Sequence, residues 1–254
     1  VLRYYQQASR EQKSGEFDYK KTLLQWSQIP QLIVPDFFGN PATGNFSGKL
    51  DFLESTAYSG IAVLGFAFMG LLSKNNKRET RSLAAALFAL IVILTLPNPI
   101  SLLIGKLNIP IFSTSVASRW LMLLPLALTL LAATGINEFI NGSLRNFLPS
   151  NSVSQTSIKQ YLPSFFIFLA TGAFWAYALL SPPEFRSVSV RNLMISTVIA
   201  GLFLLTFFFR FAGRRFLMKM SLFALCVSSI GELILFGWKT MPYTEKRFIY
   251  PVTP

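Results

Sequence analysis

The stretch "AYSGIAVLGFAFMGLLSKNNKRETRSLAAALFALIVILTLP", residues 57–97, holds two apolar runs separated by eight residues that carry four positive charges. Each run, Ala57 to Ser73 and Ser82 to Pro97, is just long enough to cross a hydrocarbon core of about 30 Å as a helix rising about 1.5 Å per residue. Backbone groups in hydrocarbon must pair within their own segment, so runs of this length are expected to be helices. Four more runs follow the same pattern: Trp120 to Ile136, Ser164 to Ser181, Leu193 to Phe209 and Met220 to Trp238. The expected fold is therefore an all-α polytopic membrane protein of about six transmembrane helices.

Composition agrees. Of 254 residues, 52% are hydrophobic and only 13% charged, against about a quarter charged in ordinary soluble domains. The formal charge of +12 raises nucleic acid as a partner, but the basic residues cluster at the ends of apolar runs, which is the pattern of membrane topology. No nucleic-acid partner is expected. With one cysteine, Cys226, and no histidine, an internal disulfide, a zinc site and histidine-based catalysis are excluded within this chain. No metal and no cofactor are expected. The chain opens on Val1 and closes on "IYPVTP", and we expect it to be part of a longer protein.

The loops set orientation. Lys74, Lys77, Arg78 and Arg81 follow the first run, Arg145 and Lys159 the third, and Arg210, Arg214, Arg215 and Lys219 the fifth, so ten positives fall on one side. The opposite short loops hold Lys106, Arg186 and Arg191, with Arg119 at a span edge. The excess of Lys and Arg places the first side in the cytoplasm, and binding of anionic lipid is the alternative use of the same charges. Three regions follow: an outward segment 1–56, a six-span region 57–238, and the start of an outward segment 239–254.

The outward segment 1–56 balances six acidic against six basic residues. Within it, "TLLQWSQIPQLIVP" spaces Leu23, Leu24, Trp26, Ile29, Leu32 and Ile33 near helical periodicity. It is expected to lie in the interface with Trp26 at headgroup level. "PDFFGNP" then reads as a turn, with Gly39 and Asn40 suited to positive φ and Pro41 closing it. Phe37 and Phe38 are expected to dip into the outer interface.

The order of "PDFFGNP", "ESTAYSGIAVLGFAFMGLL", a basic loop, a second span, "LNIPIFSTSVASRW" and "LALTLLAATGINEF" resembles the bacterial YfhO-type membrane proteins, a branch of the polytopic glycosyltransferases of the GT-C class. The resemblance covers residues 30–140 and extends further by span count. It implies a multi-pass protein of the bacterial cytoplasmic (plasma) membrane. Such a protein would take a polyprenyl-phosphate-linked sugar donor and modify a cell-envelope polymer or lipid on the outer face. It also implies that the principal catalytic carboxylate lies in an outward loop before Val1, so no catalytic residue is assigned here.

Glycosyl transfer from a phosphate needs a base for the acceptor hydroxyl and cations for the departing phosphate. Of the outward acids the better placed are Asp36, Asp51, Glu54, Glu184 and Glu245. Asp36, Glu54, Tyr58 and Arg119 are the candidate substrate-binding residues. Glu54 and Tyr58, four apart, would share a helix face if the first helix began early, and the competing reading of Glu54 is a solvated carboxylate at a helix N-terminus. Arg119 stands where a lipid phosphate would sit and can grip it with two prongs, against simple snorkelling beside Trp120. Arg186 and Arg191 are weaker candidates.

Glu232, deep in the sixth run, is expected to bond Ser228 or Ser229, or else to serve a proton path or a polar lining for the substrate. Gly65, Gly70 and Gly201 are expected at close helix contacts, and Pro125 at a kink. Two other functions stay open: a transporter or flippase of an envelope lipid, and a non-catalytic assembly subunit.

Overall fold

The computed structural model describes residues 19–73, 78–107, 116–145 and 156–240. Lys74, Lys77, Glu245 and nearly all of segment 239–254 lie outside the described residues, as do the side chains of Arg78, Arg145, Lys159 and Glu184. Among the described residues the regular structure is all helical. Seven helices have eight or more residues: α1 (Ile61–Leu72), α2 (Arg78–Thr95), α3 (Pro99–Lys106), α4 (Leu124–Arg145), α5 (Thr156–Leu180), α6 (Pro183–Phe211) and α7 (Arg215–Thr240).

Every apolar run corresponds to a helix, though not to equal spans. Four stretches are long and apolar enough to cross a membrane: Ala117–Ile140, Tyr161–Leu180, Phe185–Phe211 and Arg215–Lys239. The second run forms a fifth crossing only together with α3, and the pair is bent by 59°. Pro97 and Pro99 flank that bend, and neither offers a backbone N–H to the ladder. Asn98 restarts the chain as α3 through a capping box with Ser101. The first run yields only the 12 residues of α1, about 18 Å of helix. Gly60 at φ 94° keeps the chain extended ahead of α1, so Thr56–Gly60 is a lead-in and not a first turn.

The third span enters as a 3-10 stretch, Ala117–Leu123, and becomes α-helical at Leu124. Pro125 thus falls in the first turn of α4, where its missing N–H leaves no bond unmade. The segment expected as an outward loop around Arg186 and Arg191 is helical. Pro182 and Pro183 start α6 immediately after Ser181, leaving a very short connection.

α1 is the centre of the bundle, packing most extensively on α4 and also on α5 and α6. Gly70 and Gly135 make the α1–α4 crossing possible: a Cβ on Gly70 would strike the Leu131 carbonyl, and one on Gly135 the Phe66 carbonyl. Below that crossing Phe66 meets Phe203 and Phe139 at ring separations of 5.1 and 5.8 Å, and Phe207 closes the group at 4.8 Å from Phe203. Gly65 lies against the Phe203 ring, whereas Gly201 faces open space. The expected contact at Gly201 is therefore not made.

α5 and α7 are the most exposed spans, each with 17% of its apolar window buried. Phe168, Leu169, Phe223 and Ile230 stand out from the bundle. In water such a surface would be an aggregation hazard; in a multi-pass membrane protein it is the face that lipid covers.

Residues 19–56, from the segment expected to face outward, cap one end of the bundle. Leu24 N–H donates to the Thr95 carbonyl at 2.9 Å, serving an orphaned carbonyl at the end of α2. Tyr177 at the end of α5 donates to the Ser27 carbonyl at 3.3 Å. "TLLQWSQIPQLIVP" is not one interfacial helix, because Pro30 divides it into a 3-10 turn, Trp26–Gln28, and a single α-turn, Pro30–Ile33. Trp26 remains 59% exposed, as an interfacial anchor requires.

Candidate functional site

Glu54 and Arg119 meet at the end of the bundle that residues 19–56 cover. Glu54 belongs to the single turn Phe52–Ser55, which Asp51 caps by accepting from Leu53 N–H at 2.9 Å. Arg119 projects from the 3-10 entry of the third span. Arg119 Nη2 and Nε donate to the same oxygen, Glu54 Oε1, at 2.8 and 3.0 Å. The Arg119 side chain is 62% exposed and that of Glu54 24%. An exposed pair of this kind contributes only about 0–1 kcal/mol, so Arg119 can trade its partner for another anion at small cost.

The pair stands in a cleft of about 390 Å³ lined by Asp51, Leu53, Glu54, Thr56, Ser118, Arg119, Leu121 and Met122. Ser118 Oγ is buried there without a hydrogen-bond partner. Leu121 is also a wall of a second cavity of about 180 Å³. Its other walls are almost wholly apolar: Leu24 and Leu32 from the outward segment, Leu64 from α1, Phe88 and Ile91 from α2, and Leu124 and Leu128 from α4. A cleft with an exposed arginine thus adjoins an apolar cavity across one leucine.

Asp36 and Tyr58 stand apart from this cleft. Asp36 has φ 55° and is 3% exposed. Its Oδ1 accepts from Asn40 Nδ2 at 2.8 Å and its Oδ2 from Lys239 Nζ at 3.0 Å. Asn192 Nδ2 donates to the Asp36 carbonyl at 2.6 Å, and Ser189 Oγ to the Phe37 carbonyl at 2.9 Å. Both carboxylate oxygens of Asp36 are engaged, and the turn is fixed across the outer ends of α6 and α7. Phe37 does not dip into lipid, because it is fully buried beside Val34, Phe174, Ala178 and Leu193. Sequence reasoning read this turn as interfacial and missed Asn192, Ser189 and Lys239, since contacts across 150 residues or more leave no local pattern.

Tyr58 does not share a helix face with Glu54, because the helix ends at Ser55 and restarts at Ile61. Its ring is 7% exposed and meets Phe236 of α7 edge to face at 5.5 Å. Glu232 accepts from Ser196 of α6 at 3.0 Å, a neighbouring helix and not the serines of its own. Arg186 Nη2 donates to the Ser181 carbonyl at 3.3 Å and Arg191 is exposed on α6; neither lines the cleft. Among the described residues no group of three or more His, Cys, Asp or Glu side chains could hold a metal ion.

Comparison with known proteins adds no relative: no family model matches the chain, and neither a curated protein nor a solved structure matches it significantly.

Proposed function

We propose that this chain is the lipid-handling part of a membrane glycosyltransferase that uses a polyprenyl-phosphate-linked sugar on the outer face of a bacterial membrane to modify an envelope polymer or lipid. The observation that carries the reading is the adjacency of the Arg119–Glu54 cleft to the apolar cavity across Leu121. An amphiphile with an anionic head needs these two environments side by side. The part of its chain next to the head takes the apolar cavity and its phosphate takes Arg119, whose planar guanidinium offers two parallel donors.

Release of Glu54 from Arg119 by the phosphate leaves a carboxylate on the same wall, free to accept hydrogen bonds from sugar hydroxyls. In the transfer step the acceptor oxygen forms a bond to the anomeric carbon and loses its proton to a base. The bond from that carbon to the phosphate oxygen breaks, and the polyprenyl phosphate leaves with the electron pair. Charge grows on the departing phosphate, and a preorganised cation at that point is where electrostatic stabilisation accelerates the reaction. Arg119 and Glu54 are assigned binding roles. Asp36 and Tyr58 are assigned to anchoring the outward segment.

The test is glycosylation of the envelope acceptor in cells carrying the full protein, with variants at matched protein levels. Arg119→Ala is expected to lose most transfer, and Arg119→Lys is expected to lose more than its conserved charge suggests, because a point charge replaces a fork. Undecaprenyl phosphate in detergent micelles is expected to bind more weakly to both. Full transfer by both Arg119→Ala and Glu54→Ala would remove the cleft from the mechanism.

A further inference from the structure

Glu232 lies on the inward stripe of α7 that also carries Leu225, Ser229 and Phe236, residues spaced by three or four positions and so on one face. It is 3% exposed. Ser196 Oγ satisfies Oε1, but Oε2 has no partner, and neither does the Tyr58 hydroxyl nor Ser229 Oγ; all three atoms are sealed from solvent. The Tyr58 hydroxyl lies within hydrogen-bonding reach of the Glu232 carboxyl and Ser196. A buried polar atom left unpaired is costly, so a small side-chain rotation that joins the Tyr58 hydroxyl to Glu232 Oε2 is favoured.

We propose that Tyr58, Ser196 and Glu232 form a proton-binding site in which the Tyr58 hydroxyl pairs with the free oxygen of the Glu232 carboxyl and the proton exchanges with the outer face. Along the chain the outer cleft comes within two residues of Tyr58. Thr56 lines the outward cleft and accepts from Gln31 Nε2 at 2.7 Å. Gln31 Oε1 is buried and unpartnered, and Tyr58 follows two residues after Thr56 in the extended lead-in. The groups facing Glu232 are Tyr58 from the lead-in and Ser196 from α6; α1, packed alongside, has no ionisable side chain between Ile61 and Leu72.

Two states satisfy the same atoms. With the carboxyl ionised, Oε2 accepts from the Tyr58 O–H. With a proton added from external water, the carboxyl O–H donates to the Tyr58 oxygen. One proton is gained, and no bond between heavy atoms forms or breaks.

The test is infrared difference spectroscopy of the full chain in lipid nanodiscs as external pH is varied. A carbonyl stretch of a protonated carboxyl is expected to grow in as pH falls, to shift in D2O and to be lost in Glu232→Gln. In Tyr58→Phe the band is expected to remain but to shift toward a more weakly hydrogen-bonded acid and to exchange deuterium more slowly. Ser196→Ala, a second variant with an unchanged elution profile, is expected to move the band without abolishing it. The absence of any Glu232 band across the pH range would overturn the proposal. So would a band indifferent to pH and deuterium, or exchange unchanged in Tyr58→Phe. The wild-type titration needs no variant, and its readout does not involve Arg119 or sugar transfer, so this proposal and the glycosyltransferase reading fail separately.

Discussion

Asp36 shows what one residue does in this protein. A non-glycine residue at positive φ is uncommon, and Asp and Asn tolerate it best because a short polar side chain bonds locally. Asp36 uses that tolerance: its carboxylate bonds Asn40 within the turn and Lys239 from α7. Asp36→Asn keeps the backbone conformation and an acceptor for Asn40 but loses the ion pair. It should cost up to about 1.5–3 kcal/mol, the range for a hydrogen bond to a charged group, and toward the low end because the Lys239 side chain is 44% exposed, with transfer activity largely retained. Asp36→Val adds a β-branched side chain at positive φ and should lower the melting temperature further. Equal melting temperatures for wild type and both variants would mean that the turn is not held by this residue. "PDFFGNP" was legible as a turn from Pro35, Gly39 and Pro41; the clamp was not, because Lys239 is 203 positions away.

At the scale of elements, the α1–α4 crossing is the tightest joint in the bundle. Gly70 and Gly135 let two backbones touch, and the sequence announced only the first of them as a contact. Gly70→Val or Gly135→Val forces the helices apart, and overpacking of this kind costs about 1–3 kcal/mol. Each variant should give a lower melting temperature and a smaller monodisperse fraction in detergent, whereas Gly201→Ala, which faces open space, should be silent. Destabilisation by Gly201→Ala equal to that of Gly70→Val would refute this crossing. Length and apolarity made the helices of spans three to six legible. They overstated α1, since hydropathy does not register that Gly60 keeps the chain extended, and they gave no sign of α3 beyond the bend.

For the whole molecule, the decisive property is that its two ends differ. The outward segment, the end of α2, the entry of the third span, the end of α5, the start of α6 and Lys239 all meet at one end. At the other, Ser73 donates to Glu138 at 3.1 Å and Arg210 lies over the Phe139 ring at 4.4 Å. The alternation of helix ends matches the alternation of charge between loops. A reporter fused after Lys77 should therefore be cytoplasmic and one fused after Asn40 external. Both reporters on the same side would overturn the topology.

The sequence by itself determined that the chain is helical and membrane-embedded and which end carries the positive charge. Hydrocarbon forces each apolar run to satisfy its own backbone, and the membrane orients charged loops without reference to their neighbours. Both effects act locally along the chain. Only the tertiary structure decided that Glu54 pairs with Arg119 across 65 residues, that Asp36 is a clamp and not a wall of the cleft, and that Tyr58 turns inward to Glu232. Those outcomes depend on which helix ends are packed together, and packing among apolar surfaces is set by shape, which no periodicity in the chain encodes.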